Sequence, residues 1–119
     1  MLPAIAQGVI GIECRTGDAA VKALIDPLNH PETGLRTQAE RAMNAALAGG
    51  CQAPVAGFST IAGDRIELRG LVGWPNGSAI VRGRIRGPKG TAAALGEQLA
   101  RELLERGARP ILDELLGGA

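Results

Sequence analysis

The chain has 119 residues, 45% hydrophobic residues and a formal net charge of +1, the profile of one ordinary folded domain. That balance excludes a strong electrostatic pull toward nucleic acid or an anionic membrane. Two cysteines make no disulfide framework, no apolar run is long enough to span a membrane, and no basic-then-apolar leader opens the chain, so a cytoplasmic setting is expected.

Residues 9–14, Val-Ile-Gly-Ile-Glu-Cys, are apolar and β-branched and predict a strand buried on both faces. Such a strand needs a sheet covered on both sides. Nothing nearby in the chain supplies that sheet, so the segment reads as cut away from its partners. Cys14 is expected to be a packed thiol. Thr16, Gly17 and Asp18 make a turn or cap. A helix over residues 19–28 follows, with Val21, Leu24, Ile25 and Leu28 at helical spacing and Pro27 ending or kinking it.

Asn29-His30-Pro31 breaks the chain and divides it into residues 1–29 and residues 30–119. His30, the one histidine, is expected to be a surface or capping group. Thr33 is placed to cap the next helix. Leu35, Ala39, Ala42, Met43, Ala46 and Leu47 form its apolar stripe, with Arg36, Glu40, Arg41 and Asn44 largely off it. The helix is expected to end at Gly49 or Gly50.

Three strands are predicted next, over residues 54–61, 65–72 and 79–86. In the second, Ile66, Leu68, Gly70 and Val72 face one way and Glu67 and Arg69 the other. In the third, Val81 and Ile85 oppose Arg82, Arg84 and Arg86. Ala62-Gly63-Asp64 and Pro75-Asn76-Gly77-Ser78 are turn signals. A long helix over residues 91–106 carries Leu95, Leu99 and Leu103, and Gly107 ends it. Pro110 fits the first turn of a last helix with Ile111, Leu112 and Leu115. The expected fold is α+β: a three-stranded antiparallel sheet with helices on one face, preceded by a strand-helix segment from a separate domain.

Chemistry-bearing residues are few. Cys51 follows Gly49-Gly50 and precedes a strand opened by Pro54, a corner with open space and permissive backbone. Two roles remain open on these residues alone: a small buried hydrophobe, or an attachment point reached by something large. A strongly activated thiolate is disfavoured, because the helix C-terminus that precedes it carries the negative end of the dipole. One histidine and two distant cysteines give no zinc spacing, so no metal is expected. There is no Ser-His-Asp set and no phosphate loop. Arg82, Arg84 and Arg86 read as a solvated sheet face, with binding of small carboxylates left open. Nucleic-acid binding lacks the stacking aromatics it needs.

The stretch Glu40-Arg41, then Gly49-Gly50-Cys51-Gln52, Ala53, Pro54, Val55 and Ala56 closely resembles the signature of the porphobilinogen deaminase (hydroxymethylbilane synthase) family. Ala53 departs from the β-branched residue usual there, which loses some strand packing and leaves the thiol untouched. Leu2-Pro3-Ala4, Gln7-Gly8, Gly11-Ile12-Glu13-Cys14-Arg15, Leu28-Asn29-His30, Leu68-Arg69-Gly70-Leu71-Val72-Gly73 and Gly77-Ser78 also resemble family landmarks. Ala6 stands where the family typically has Gly. The resemblance covers essentially the whole chain but only about the last third of a three-domain enzyme.

The resemblance implies that residues 1–29 return to complete the first domain, and that residues 30–119 are the third, cofactor-attachment domain. Family members condense four porphobilinogens into hydroxymethylbilane, with release of ammonia, in tetrapyrrole (haem) biosynthesis. A dipyrromethane cofactor, thioether-linked to the signature cysteine, primes the chain. By position that cysteine is Cys51, with Gly50 giving slack beside it and Gln7 matching a position that lines the cleft. Loss of ammonia from an aminomethylpyrrole gives an electrophile that captures a thiol without exceptional activation. The family's catalytic aspartate belongs to the first domain, so no catalytic residue is carried over. Implied partners are porphobilinogen, the growing polypyrrole and the N-terminal domains, with no nucleic acid and no membrane. The competing expectations are a non-catalytic α+β interaction module and a strand-exchanged homo-oligomer formed through residues 9–14.

Overall fold

The computed structural model describes residues 2–47, 54–74 and 76–114. The elements run α1 (Ala19–Ile25, continued by a 3-10 turn at Asp26–Leu28), α2 (Pro31–Ala46), β1 (Val55–Ala62), β2 (Arg65–Gly73), β3 (Ile80–Pro88), α3 (Ala92–Leu103), a wide turn (Leu104–Ala108) and α4 (Arg109–Leu112). The strands lie in the order β1-β2-β3, both pairs antiparallel. This is the expected α+β fold, with α2 and α3 packed on one face of the sheet.

Local signals account for the element ends. Gly63, at φ 63°, takes the first central position of the two-residue β1–β2 turn, where an L side chain is disfavoured. Asn76 Oδ1 accepts from Ser78 N at 2.9 Å inside the β2–β3 connection. Gly107 sits at φ 119° and breaks the helical path between α3 and α4. Asp18 caps α1 by accepting from Val21 N. The cap of α2 is His30 and not Thr33: the imidazole Nδ1 accepts from Thr33 N at 3.2 Å. Pro31 explains the shift, since its fixed φ and missing N–H suit the first helical position and make its predecessor the cap.

Two expectations for the N-terminal part are corrected. Residues 9–14 form no strand, and Ile10 is 89% exposed. Cys14 is an exposed free thiol and not a packed one. The reason is common to both: an apolar strand is stable only with neighbours on its edges and faces, and among the described residues none is there. Helix α1 likewise buries nothing, leaving Leu24 and Leu28 in the open.

The core lies between the sheet and the two long helices, built from Ala39, Met43, Leu68, Val72, Leu99 and Leu103. A row of glycines crosses the sheet, Gly57 opposite Gly70 and Gly70 opposite Gly83. Their missing side chains leave room on the helix side. A Cβ at Gly70 would stand 2.5 Å from Met43 Sδ, and one at Gly83 would stand 3.0 Å from Leu99 Cδ1. Because the thioether can swing, Gly70→Ala should cost about 1–2 kcal/mol. Met43→Ala should then hurt less in the Gly70→Ala background than in the wild type. Urea unfolding of the double-mutant cycle measures this, and additivity within about 0.5 kcal/mol would contradict the contact.

Candidate functional site

The signature corner is framed by α2 on one side and β1 on the other. Cys51 and Gly50, together with Gly49, Gln52 and Ala53, lie outside the described residues, as does the expected helix end at Gly49 or Gly50. The structure describes how the two framing elements are locked together. Glu40, placed off the apolar stripe by the sequence pattern, is 4% exposed. Its Oε2 accepts from Ser59 Oγ at 2.7 Å and from Ser59 N at 3.2 Å. Its Oε1 accepts from Ala6 N at 2.9 Å. Three donors on one carboxylate satisfy the group inside the fold.

Arg36, one turn earlier on α2, donates through Nε to the Ser59 carbonyl at 2.8 Å and lies 5.0 Å over the Phe58 ring. The Pro3 carbonyl accepts from Gly57 N at 3.0 Å. The outer edge of β1 is therefore occupied by a carboxylate, a guanidinium and the N-terminal segment, which protects it from pairing with another chain. The sequence pattern puts Arg36 and Glu40 largely off the apolar stripe and gives Ser59 no role, so the burial of Glu40 corrects that expectation. The signal was present: Glu40 falls between Ala39 and Met43, and Ser59 shares the inward alternation of Gly57 and Ile61.

Gln7 is exposed and belongs to a local turn. Its N donates to the Ala4 carbonyl at 3.1 Å, and its Oε1 accepts from Ala4 N at 3.2 Å. Ala6 beside it stands at φ 55°, left-handed backbone that costs an L residue roughly 1 kcal/mol. The glycine usual there in the resembled family would carry no such cost. Glu40 thus holds the segment bearing Gln7 against the same strand that leaves the Cys51 corner.

The uncovered face of the sheet holds a second feature. Arg69, Arg82 and Arg84 line an open groove of about 1050 Å3 with Leu2, Ala56, Leu71 and Ile80. Arg106 reaches it from the far edge and donates to the Arg82 carbonyl at 3.1 Å. Arg86 pairs with Glu67, and its hydrogen bond holds that carboxyl below the ordinary glutamate range. A smaller groove of about 500 Å3 runs between residues 9–12 and α2, bordered by Thr37 and Arg41.

His30 is engaged as a cap, on the opposite side of α2's length from the corner. Among the described residues no three of His, Cys, Asp and Glu gather as metal ligands. Among them, too, no helix is long and apolar enough to cross a membrane. Compared with known families, residues 35–105 match the family model described as porphobilinogen deaminase, C-terminal domain. The match takes in α2 from Leu35 on, the whole sheet and α3, with the Gly49-Gly50-Cys51-Gln52 corner inside it. As the match spans more than half of the chain and the α+β layering agrees with it, the chain belongs to the porphobilinogen deaminase family, through that family's C-terminal domain.

Proposed function

We propose that this chain is the cofactor-bearing part of a porphobilinogen deaminase, with Cys51 as the thioether attachment point for dipyrromethane. The observation that carries the reading is the place of Gly49-Gly50-Cys51-Gln52 inside the family match, between a helix and a strand that Glu40 locks together. The donor chemistry fits the group. A thiol supplies a stable thioether, and Cys51 is placed by sequence between α2 and β1, where one covalent link is all the group requires.

When bound, the dipyrromethane supplies the nucleophilic pyrrole end to which porphobilinogen units are added with loss of ammonia. The chain's own residues attach and place it. Cys51 holds the group, Gly50 leaves slack beside the thiol, and Gln7 faces the cleft on a segment fixed by Glu40. Residues 1–29 complete the first domain of the longer enzyme, and residues 30–119 form the third. The unpartnered apolar residues Ile10, Ile12, Leu24 and Leu28 support that division. Turnover needs groups from the other domains, so the chain alone binds no substrate productively. The setting is cytoplasmic.

Intact-protein mass spectrometry tests the assignment. After co-production with the N-terminal domains of a family member, the wild-type chain should carry an adduct of two pyrrole units, and Cys51→Ser should carry none. A bare wild-type thiol would reject the reading. It would favour the second one, a non-catalytic α+β module that binds a partner through its exposed residues 9–12.

A further inference from the structure

We propose that the uncovered sheet face is a binding site for a compact apolar molecule bearing two or more carboxylates, separate from the attachment at Cys51. Strand alternation sends Arg65, Arg69, Arg82, Arg84 and Arg86 to this face. Glu67 is the one acid among the strand residues there, and Arg86 already takes it. Arg69 stands directly opposite Arg84, and Arg82 lies two residues along. Like charges facing each other across strands are unfavourable. Glu67 lies within electrostatic reach of Arg84 and Arg69, but no described carboxylate forms a salt bridge with Arg69, Arg82 or Arg84. In a chain of net charge +1 this is a local concentration of positive charge, not a general property of the surface.

The geometry narrows the ligand. A guanidinium pairs with a carboxylate as a planar fork, which a point charge does not reproduce. The three arginines are spread by the sheet itself, about 5 Å across strands and about 7 Å along one. One inorganic anion cannot meet all three, but two or three carboxylates on one frame can. The floor between them is apolar, made by Leu2, Ala56, Leu71 and Ile80 over the backbone of Gly70 and Gly83. At about 1050 Å3 the groove has the size of a small-molecule site. Single-stranded nucleic acid is a poor fit: the one phenylalanine, Phe58, is already covered by Arg36.

The probe is benzene-1,3,5-tricarboxylate, titrated at low salt into the isotopically labelled full chain and followed by amide chemical shifts. Shifts should concentrate at Ala56, Arg69, Leu71, Arg82 and Arg84. Arg69→Gln with Arg84→Gln, both at exposed positions, should weaken binding about ten-fold or more without losing spectral dispersion. Arg101→Gln, on exposed α3 surface, should leave it unchanged. Cys51→Ser should bind as the wild type does, which separates this site from the thioether assignment. Shifts spread over the helices, an unaffected double variant, or equal affinity for inorganic phosphate would each overturn the proposal.

Discussion

Replacing Gly96 with leucine should prevent the chain from folding, and even Gly96→Ala should cost about 2–3 kcal/mol. Gly96 is buried in the middle of α3, where alanine would ordinarily gain about 1 kcal/mol by helix propensity. Packing reverses that sign. A Cβ there would lie 2.9 Å from both Ala42 Cβ and Met43 N, and it would press into the Ala39 carbonyl oxygen. These are backbone and Cβ atoms of α2, so no rotamer change relieves them, in contrast to the mobile Met43 thioether under Gly70. The helices must separate, and separation uncovers Met43, Leu99 and Leu103 together. A domain of this size has about 5–15 kcal/mol of total stability, so a leucine exceeds what it can absorb. Urea unfolding followed by circular dichroism and by the single Trp74 reads the effect. The control is Gly34→Ala in α2, where a Cβ meets nothing within 4 Å, and a small gain of about 0.4–1 kcal/mol is expected. Equal effects at the two positions would show that the close α2–α3 approach is wrong.

The contrast between these glycines marks what was legible in the sequence. Strand alternation and turn residues placed β1, β2 and β3 within two residues of their observed bounds, because both signals are local. The Leu95, Leu99 and Leu103 spacing placed the buried face of α3 for the same reason. Gly96 carries no local signal. Its need for a missing side chain depends on which helix crosses α3 and how closely. The burial of Glu40 was illegible on similar grounds: off-stripe glutamate on a helix is normally solvated, and only the edge of β1 gives it partners. For residues 9–14 composition pointed to a strand, but a strand is made by its neighbours. The Cys51 corner is the reverse case. Periodicity left its role open, and the ordered set of residues around it carries only the proposal made above.

Glu40→Ala should destabilise the fold by about 3 kcal/mol or more, through stranded donors and not lost apolar contact. Removing the carboxylate leaves buried Ser59 N and part-buried Ala6 N without their acceptor, while Ser59 Oγ keeps the Arg36 carbonyl at 3.1 Å. An unmet buried donor costs about 1–3 kcal/mol, and the two backbone amides have no other acceptor to turn to. Glu40→Gln keeps the shape and one carbonyl oxygen but turns an amide NH2 toward a donor, so about 1–2 kcal/mol is expected. Ser59→Ala should cost less than either, since Glu40 keeps both backbone donors. In the Glu40→Ala background it should cost less, because only the bond to the Arg36 carbonyl is left to lose. Equilibrium unfolding gives the energies, and native-state hydrogen exchange gives the location. The amides of Ala6 and Gly57 should lose protection before those of β2, since Glu40 and Pro3 together hold the N-terminal segment to the edge of β1. If exchange instead rose uniformly, Glu40 would be an ordinary core residue. A local opening would make it the clasp that joins residues 2–7, and with them Gln7, to the strand leaving the Cys51 corner.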